Sequence, residues 1–157
     1  MQFKPLANTG ILLPEICLGT MTFGEQNTQA DAFQQLDYAL ERGLNFWDTA
    51  EMYPVPPKPD TQGSTERIIG NWIAERGGRD KLFLASKIAG PSQGGSHIRD
   101  GKTKFVASEI ESALDQSLTR LQTDYIDLYQ LHWPQRPTNF FGKLGYGNTE
   151  ATSDQTV

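Results

Sequence analysis

The sequence predicts an α/β fold in which helices cover a parallel β-sheet. Four short apolar runs, typical of buried strands, begin near residues 16, 44, 82 and 125. Three segments with apolar residues at helical three- and four-residue spacing lie between them. These intervals suit right-handed crossover units of about 30 or more residues, and strands this apolar belong in a sheet covered by helices. Two architectures fit this order: an open doubly wound sheet and part of an eight-stranded barrel.

The N-terminal residues predict a β-hairpin followed by the first strand of the sheet. Residues 3–6 and 11–13 are largely apolar and flank Asn8-Thr9-Gly10, which suits a turn. Residues 16–20 form an apolar run that ends at Gly-Thr, which indicates a buried strand. The hairpin is expected to precede the sheet rather than to join it.

The first helix has start and stop signals at both ends. Thr28 is placed to cap it, with Asp31 three residues on in the capping-box position. Gly43 stands where a left-handed residue ends a helix. The second strand, residues 44–48, follows directly.

The second unit begins with a proline-rich loop. Residues 54–63 contain four prolines, so they are not expected to form regular structure. Ser64 is predicted to cap the second helix, with Glu66 favourably placed against the helix dipole. Gly77-Gly78 ends that helix, and residues 82–87 form the third strand.

The third unit contains a long loop, a helix and the last strand. Residues 90–104 are polar and rich in glycine, which indicates a loop. The third helix has an apolar face from Ile110 to Leu121 and no clear capping residue. The fourth strand is predicted over residues 125–131, and no periodic pattern follows it.

Reactive side chains are concentrated at the carboxyl ends of the predicted strands. Asp48, Lys87 and His132 each end a strand, and Tyr53 lies five residues after Asp48. In a parallel barrel these ends share the face on which active sites are built. Strand alternation allows all three strand-end side chains to point inward. Alone, each has an ordinary structural explanation, but together they predict a site.

The same residues carry a resemblance to a known family. Four segments resemble signature blocks of the aldo-keto reductase superfamily: Gly19–Gly24, Asp48–Tyr53, Ala85–Lys87 and Asp124–Pro134. The resemblance extends from about residue 3 to about residue 146. The segments 53–57 and 137–146 are similar to its bacterial Tas-like branch. More usual members have glycine after the active-site tyrosine, where this sequence has Pro54.

The resemblance implies a (β/α)8 barrel enzyme that uses NADPH to reduce an aldehyde or ketone to an alcohol. Hydride would come from the nicotinamide, while the protein supplies orientation and a proton. Tyr53 would be the general acid, assisted by the Lys87 ammonium that Asp48 holds in place, and His132 would orient the substrate carbonyl. The residues implied beside the cofactor are Gly19, Thr20, Met21 and Asp48, and Trp133 is implied at the substrate pocket.

The length of 157 residues accommodates only part of such a barrel, because a complete one takes about 250 residues. The sequence therefore predicts a half barrel of four strands, three helices and the hairpin over residues 1–134. Residues 135–157 are expected to form a loop and an unstructured tail. Most family groups that hold NADP(H) lie in the second half, so this chain is expected to be an N-terminal portion that is inactive alone. Two alternatives remain: a non-enzymatic binding module, and a degenerate half barrel that works only when paired.

Composition excludes several other classes. The formal net charge is −5, which disfavours nucleic acid as the main partner. Cys17 is the only cysteine, so no intrachain disulfide framework is possible, and Cys17, His97 and His132 make no plausible metal site. No apolar run approaches the roughly 18 residues of a membrane span. The expectation is a cytoplasmic domain with a small carbonyl or alcohol substrate, able to self-associate through open strand edges.

Overall fold

The computed structural model describes residues 1–91, 97–135 and 139. The predicted order of hairpin, strands and helices is confirmed. The sheet strands predicted over residues 16–20, 44–48 and 125–131 are shorter than predicted, and the strand predicted over 82–87 is shifted by one residue. The elements are β1 (Phe3–Pro5), β2 (Leu12–Pro14), β3 (Leu18–Gly19), α1 (Gln29–Glu41), β4 (Phe46–Asp48), α2 (Ser64–Arg76), β5 (Phe83–Ile88), α3 (Ala107–Leu121) and β6 (Leu128–Leu131). Short 3-10 turns cover Arg79–Lys81 and Ile98–Gly101. The tail predicted after residue 134 and the Tas-like stretch 137–146 lie almost entirely outside the described residues.

Strands β3, β4, β5 and β6 form a parallel sheet in sequential order. Strands β1 and β2 pair separately as an antiparallel hairpin. Sequential parallel strands joined by helices are the pattern of a (β/α)8 barrel, whereas an open doubly wound sheet reverses its strand order at a switch point. The topology therefore decides between the two architectures that the sequence left open.

The sheet presents two chemically different faces because its side chains alternate. Trp47 and Leu84 are fully buried against α1 and α2, and the Trp47 ring meets Trp72 edge-on at 4.8 Å. On the opposite face, Phe46 packs edge-on against Phe83 at 5.1 Å. The helix-facing side is the main hydrophobic core, and the other side leads to the strand-end polar residues.

The boundaries of the first two helices show what local signals can predict. Thr28 caps α1 as expected: the Asp31 N–H donates to the Thr28 hydroxyl at 3.2 Å, and the Thr28 N–H donates to the Asp31 carboxylate at 2.9 Å. The prediction that Ser64 caps α2 is wrong. Gly63 precedes the helix with φ 75°, and its N–H donates to the Tyr53 carbonyl at 2.8 Å. The returning loop therefore fixes the start of α2, where only glycine adopts this conformation easily.

Glu66 lies in the first turn of α2, as predicted, and it has a further role that the sequence did not indicate. It is fully buried, and its carboxylate accepts hydrogen bonds of 2.6 Å from Arg120 of α3 and from the Ser86 hydroxyl of β5. Beside it, a Cβ built on Gly70 would lie 2.2 Å from the Arg120 carbonyl oxygen. This buried ion pair and close backbone contact join α2 to α3 and to the sheet.

Candidate active site

Lys87 and Asp48 form an ion pair at the carboxyl ends of β5 and β4. The Lys87 ammonium donates to Asp48 Oδ2 at 2.6 Å and to the Thr49 carbonyl oxygen at 2.8 Å. Only 14% of the Lys87 side chain and 25% of the Asp48 side chain are exposed, so water screens this pair less than a surface pair. Two acceptors on one ammonium fix its position at the rim of the sheet.

The Tyr53 hydroxyl lies beside this ammonium. Its oxygen is 3.4 Å from Lys87 Nζ, and the Tyr53 ring centroid is 4.9 Å from the same nitrogen. The peptide bond to Pro54 is cis. The phenol lies within reach of Lys87 with Pro54 at the position where the resemblance leads us to expect glycine.

His132 contacts the other side of the phenol. His132 follows β6, and its backbone N–H donates to the Ile88 carbonyl at 3.1 Å. Its imidazole ring meets the Tyr53 ring nearly perpendicularly, with 5.6 Å between the ring centroids. Burial, with added repulsion from the Lys87 ammonium, lowers the pKa of His132 from 6.5 to about 4. The imidazole is therefore neutral at pH 7 and able to donate one hydrogen bond without carrying charge.

The structure thus brings all four predicted site residues to one rim. A carboxylate and an ammonium form an ion pair, and a phenol lies between this pair and a neutral imidazole. A cation beside a phenol stabilises the negative charge that develops as the phenol releases its proton. This arrangement can donate a proton to a developing alkoxide and bind its oxygen.

Besides Asp48, three residues are expected beside the cofactor, and they occupy different environments. Gly19 is exposed at the end of β3, and a Cβ built on it would meet nothing within 4 Å. Thr20 is fully buried, and its hydroxyl donates to the Asp48 carbonyl at 2.8 Å. Met21 is exposed, and its carbonyl accepts from the Val55 N–H at 2.9 Å. Gly19 therefore leaves open surface for a flat ring, whereas Thr20 fixes the backbone next to Asp48.

The Trp133 side chain packs against the loop that follows β5. Its indole N–H donates to the Pro91 carbonyl at 3.1 Å, and a Cβ on Gly90 would lie 2.6 Å from the indole nitrogen. Its ring also lies 5.3 Å from the His132 ring. The residue thus holds the loop after β5 against the segment that carries His132.

One contact to the ion pair was not predicted from the sequence. Gln130 lies opposite Lys87 in the β5–β6 register, and its amide nitrogen is 3.4 Å from Asp48 Oδ1. Strand alternation could have indicated this contact, because Gln130 lies two residues before His132 and is therefore expected on the same face of the sheet. Asp48 is thus approached by Lys87 and Gln130 from two neighbouring strands.

Comparison with known proteins identifies the family of the chain. Residues 15–154 match the model of the aldo/keto reductase family. The chain belongs to that family. It is 54% identical over 151 residues to the protein tas of Escherichia coli, a match that covers 96% of this chain and 44% of that protein. The chain therefore spans less than half the length of this relative.

Solved structures of the family show the same fold. An aldo-keto reductase of Bacillus halodurans, solved in its holo form, matches 83% of this chain at 32% identity with a TM-score of 0.66, over 40% of its own length. An aldo/keto reductase of Klebsiella pneumoniae in complex with NADP and acetate matches 79% at 35% identity with a TM-score of 0.57, over 37% of its length. The four strands and three helices correspond to half of the (β/α)8 barrel. None of the helices in the described part of the chain is both long and apolar enough to cross a membrane.

Proposed function

We propose that this chain supplies the proton-donating part of an NADP-dependent aldo-keto reductase that reduces an aldehyde or ketone to an alcohol. One observation carries the proposal: the Lys87 ammonium lies between the Asp48 carboxylate and the Tyr53 hydroxyl, 2.6 Å from one and 3.4 Å from the other. An ion pair with a purely structural role does not need a phenol beside it. Here the Tyr53 phenol contacts both Lys87 and the neutral His132 imidazole. Membership of the family supports the same reaction class.

Carbonyl reduction needs a hydride at carbon and a proton at oxygen. NADPH, when bound, supplies the hydride. Tyr53 donates its hydroxyl proton to the developing alkoxide, and Lys87 stabilises the phenolate that remains. Asp48 holds the Lys87 ammonium in place through a charge-assisted hydrogen bond. His132, neutral at pH 7 because burial and the Lys87 charge lower its pKa to about 4, donates a hydrogen bond to the carbonyl oxygen.

The residues at the rim fit a nicotinamide. Gly19 leaves the space of a side chain open at the end of β3, so a planar ring can approach the backbone there. Met21 is exposed next to it, and the Asp48–Lys87 pair lies at the end of the adjacent strand. We assign Gly19, Met21 and Asp48 to the cofactor side, Thr20 to their support, and Trp133 to the edge of the substrate pocket.

The two alternatives make different use of the same fold. A purely binding module has no need of the Asp48–Lys87–Tyr53 arrangement, so its presence favours an enzyme. A half barrel that works only when paired is favoured by the sheet itself, since in the described residues β3 and β6 each pair on one side only. We therefore propose that activity requires a second half barrel. The single cysteine, Cys17, is consistent with a cytoplasmic protein.

The decisive experiment uses the chain joined after residue 134 to the corresponding second half of the Escherichia coli relative, here termed the completed barrel. Tyr53→Phe removes the hydroxyl and retains the ring that contacts His132. We expect turnover of a reactive aldehyde to fall by about 100- to 10,000-fold while NADPH affinity, measured by fluorescence, changes little. Tyr38→Phe, at an exposed tyrosine of α1, is the matched control and leaves both values unchanged.

Equal losses of NADPH binding and turnover in Tyr53→Phe would show that Tyr53 is structural. Absence of turnover in the parent completed barrel, with NADPH bound at micromolar affinity, would favour the binding module instead. Both results are distinguishable from a folding failure by circular dichroism and thermal melting.

A further inference from the structure

A buried ion pair lies in the loop that carries Tyr53. Glu51 is fully buried, and both of its carboxylate oxygens accept from Arg99 Nη1, with 2.6 Å to Oε2. Only 4% of the Arg99 side chain is exposed. The Ala89 N–H also donates to Glu51 Oε2 at 2.8 Å. A carboxylate so removed from water is stable only with partners of this kind.

The pair connects two loops that follow neighbouring strands. Glu51 lies after β4, two residues before Tyr53, and its N–H donates to the Lys87 carbonyl at 3.0 Å. Arg99 lies in the 3-10 turn after β5. Ile98 of that turn belongs to the buried cluster against which Tyr53 packs. The ion pair therefore ties the loop of the phenol to the loop that follows the strand of the lysine, while the Glu51 backbone bonds that strand directly.

The backbone at Arg99 is held in an unfavourable conformation. Its φ of 46° and that of Asp100, 54°, lie in the left-handed region that residues with a side chain rarely adopt. Arg99 Nε donates to the Lys102 carbonyl at 3.0 Å, which closes the turn on itself. The contacts of the guanidinium compensate the strain, so the shape of this turn depends on Glu51.

We propose that the Glu51–Arg99 pair positions Tyr53 against Lys87 and thereby sets the rate of proton donation. Neither residue is a catalytic residue, because a carboxylate with no exposed surface and a guanidinium bonded to it cannot reach substrate. They act through the loop, by keeping the phenol oxygen within 3.4 Å of the ammonium. The inference rests on the proposed function of Tyr53 as proton donor.

The chain contains a matched control for this role. Glu66 is also fully buried and bonded to an arginine, Arg120, whose side chain is 12% exposed. That second pair joins α2 to α3 and contacts Ser86 on the helix-facing side of the sheet. Loss of either carboxylate charge leaves a buried arginine without its anion, so both substitutions should lower stability. Only Glu51 lies in the loop of Tyr53.

The kinetic test compares Glu51→Gln with Glu66→Gln in the completed barrel, each assayed well below its own melting temperature. Glu51→Gln is expected to lower kcat by about 10- to 100-fold with little change in the KM values for aldehyde and NADPH. Glu66→Gln is expected to leave kcat within about twofold of the parent. Arg99→Gln should reproduce the loss, and Arg99→Lys, which retains the charge, should recover part of it. Equal kcat losses at Glu51 and Glu66 would overturn the proposal.

Amide hydrogen exchange, followed by mass spectrometry, tests the coupling without relying on activity. The Tyr53 N–H donates to the Ala50 carbonyl, so this amide reports on the loop. Glu51→Gln should accelerate exchange across residues 50–55, whereas Glu66→Gln should accelerate it in α2 and α3. An inactive parent barrel would contradict the proposed function alone. Unchanged loop exchange in Glu51→Gln would contradict the positioning role whether or not the parent is active.

Discussion

At the scale of single residues, the His132 imidazole shows how burial and charge choose a protonation state. Burial is the larger cause of its lowered pKa, and repulsion from Lys87 adds to it, while Asp48 acts in the opposite direction. A charged imidazole beside the ammonium would compete with it for Asp48. The site therefore keeps one cation, Lys87, next to the phenol.

We expect the His132 imidazole to titrate near pH 4 in the completed barrel, compared with about 6.5 for a histidine in water. Because the unfolded chain binds this proton below about pH 6.5 and the folded chain only below about pH 4, stability falls as pH is lowered between these values. Above pH 6.5 the proton on His132 no longer affects how the free energy of unfolding changes with pH. NMR titration measures the pKa. His97→Gln, together with replacement of every histidine in the added half, leaves His132 as the one histidine signal. Titration near pH 6.5 would contradict a buried neutral imidazole.

The same linkage has a test in stability. The free energy of unfolding of His132→Asn, measured by urea denaturation, should vary less between pH 6.5 and pH 4 than that of the parent. At pH 7 the comparison reports only packing and hydrogen bonding. A parallel pH dependence of the two proteins would show that His132 does not cause the change.

At the scale of elements, α2 and α3 meet at a backbone contact that depends on Gly70. A Cβ at that position would lie 2.2 Å from the Arg120 carbonyl oxygen and 2.8 Å from the Leu121 carbonyl carbon. Backbone atoms cannot rotate away, so the helices must separate. The close approach also brings Arg120 to Glu66, which lies one turn before Gly70.

Gly70→Ala should therefore destabilise the completed barrel by roughly 1–3 kcal/mol, although alanine is the better helix former by about 1 kcal/mol. Ala74→Gly on the exposed face of α2 measures that propensity alone and should lose about 1 kcal/mol. Urea denaturation measures both free energies of unfolding. A gain of stability in Gly70→Ala would mean that the two helices do not pack this closely.

Elements and strand-end residues were predictable because their signals are local. The capping box of α1 involves residues three apart, and strand alternation placed Asp48, Lys87 and His132 on one rim. The misassigned start of α2 and the role of Glu66 depend on partners far along the chain. Glu51 and Arg99 are 48 residues apart, and nothing in either neighbourhood indicates that they pair. From the sequence alone, a charged residue that is buried cannot be distinguished from one on the surface.

At the scale of the whole molecule, the sheet has two open edges within the described residues. β3 pairs only with β4, and β6 pairs only with β5. Phe46 and Phe83 lie on the face that a closed barrel fills with side chains, together with Leu128. Asp48, Tyr53, Lys87 and His132 lie at the rim of this half barrel, so their environment depends on what pairs with the open edges of the sheet.

Residues 1–157 by themselves are therefore expected not to reduce aldehydes with NADPH. Water reaches the rim from the open side and weakens the action of Lys87 on Tyr53. Because most of the cofactor contacts are expected from a second half barrel, NADPH affinity should be millimolar or weaker. Each thousandfold loss of affinity corresponds to about 4 kcal/mol of binding free energy. The unpaired strand edges should also make the chain self-associate. Fluorescence titration, an aldehyde assay and light scattering measure the three properties, with the completed barrel as the monomeric, micromolar-binding control. Turnover by a monodisperse monomer of residues 1–157 would show that half a barrel is sufficient for catalysis.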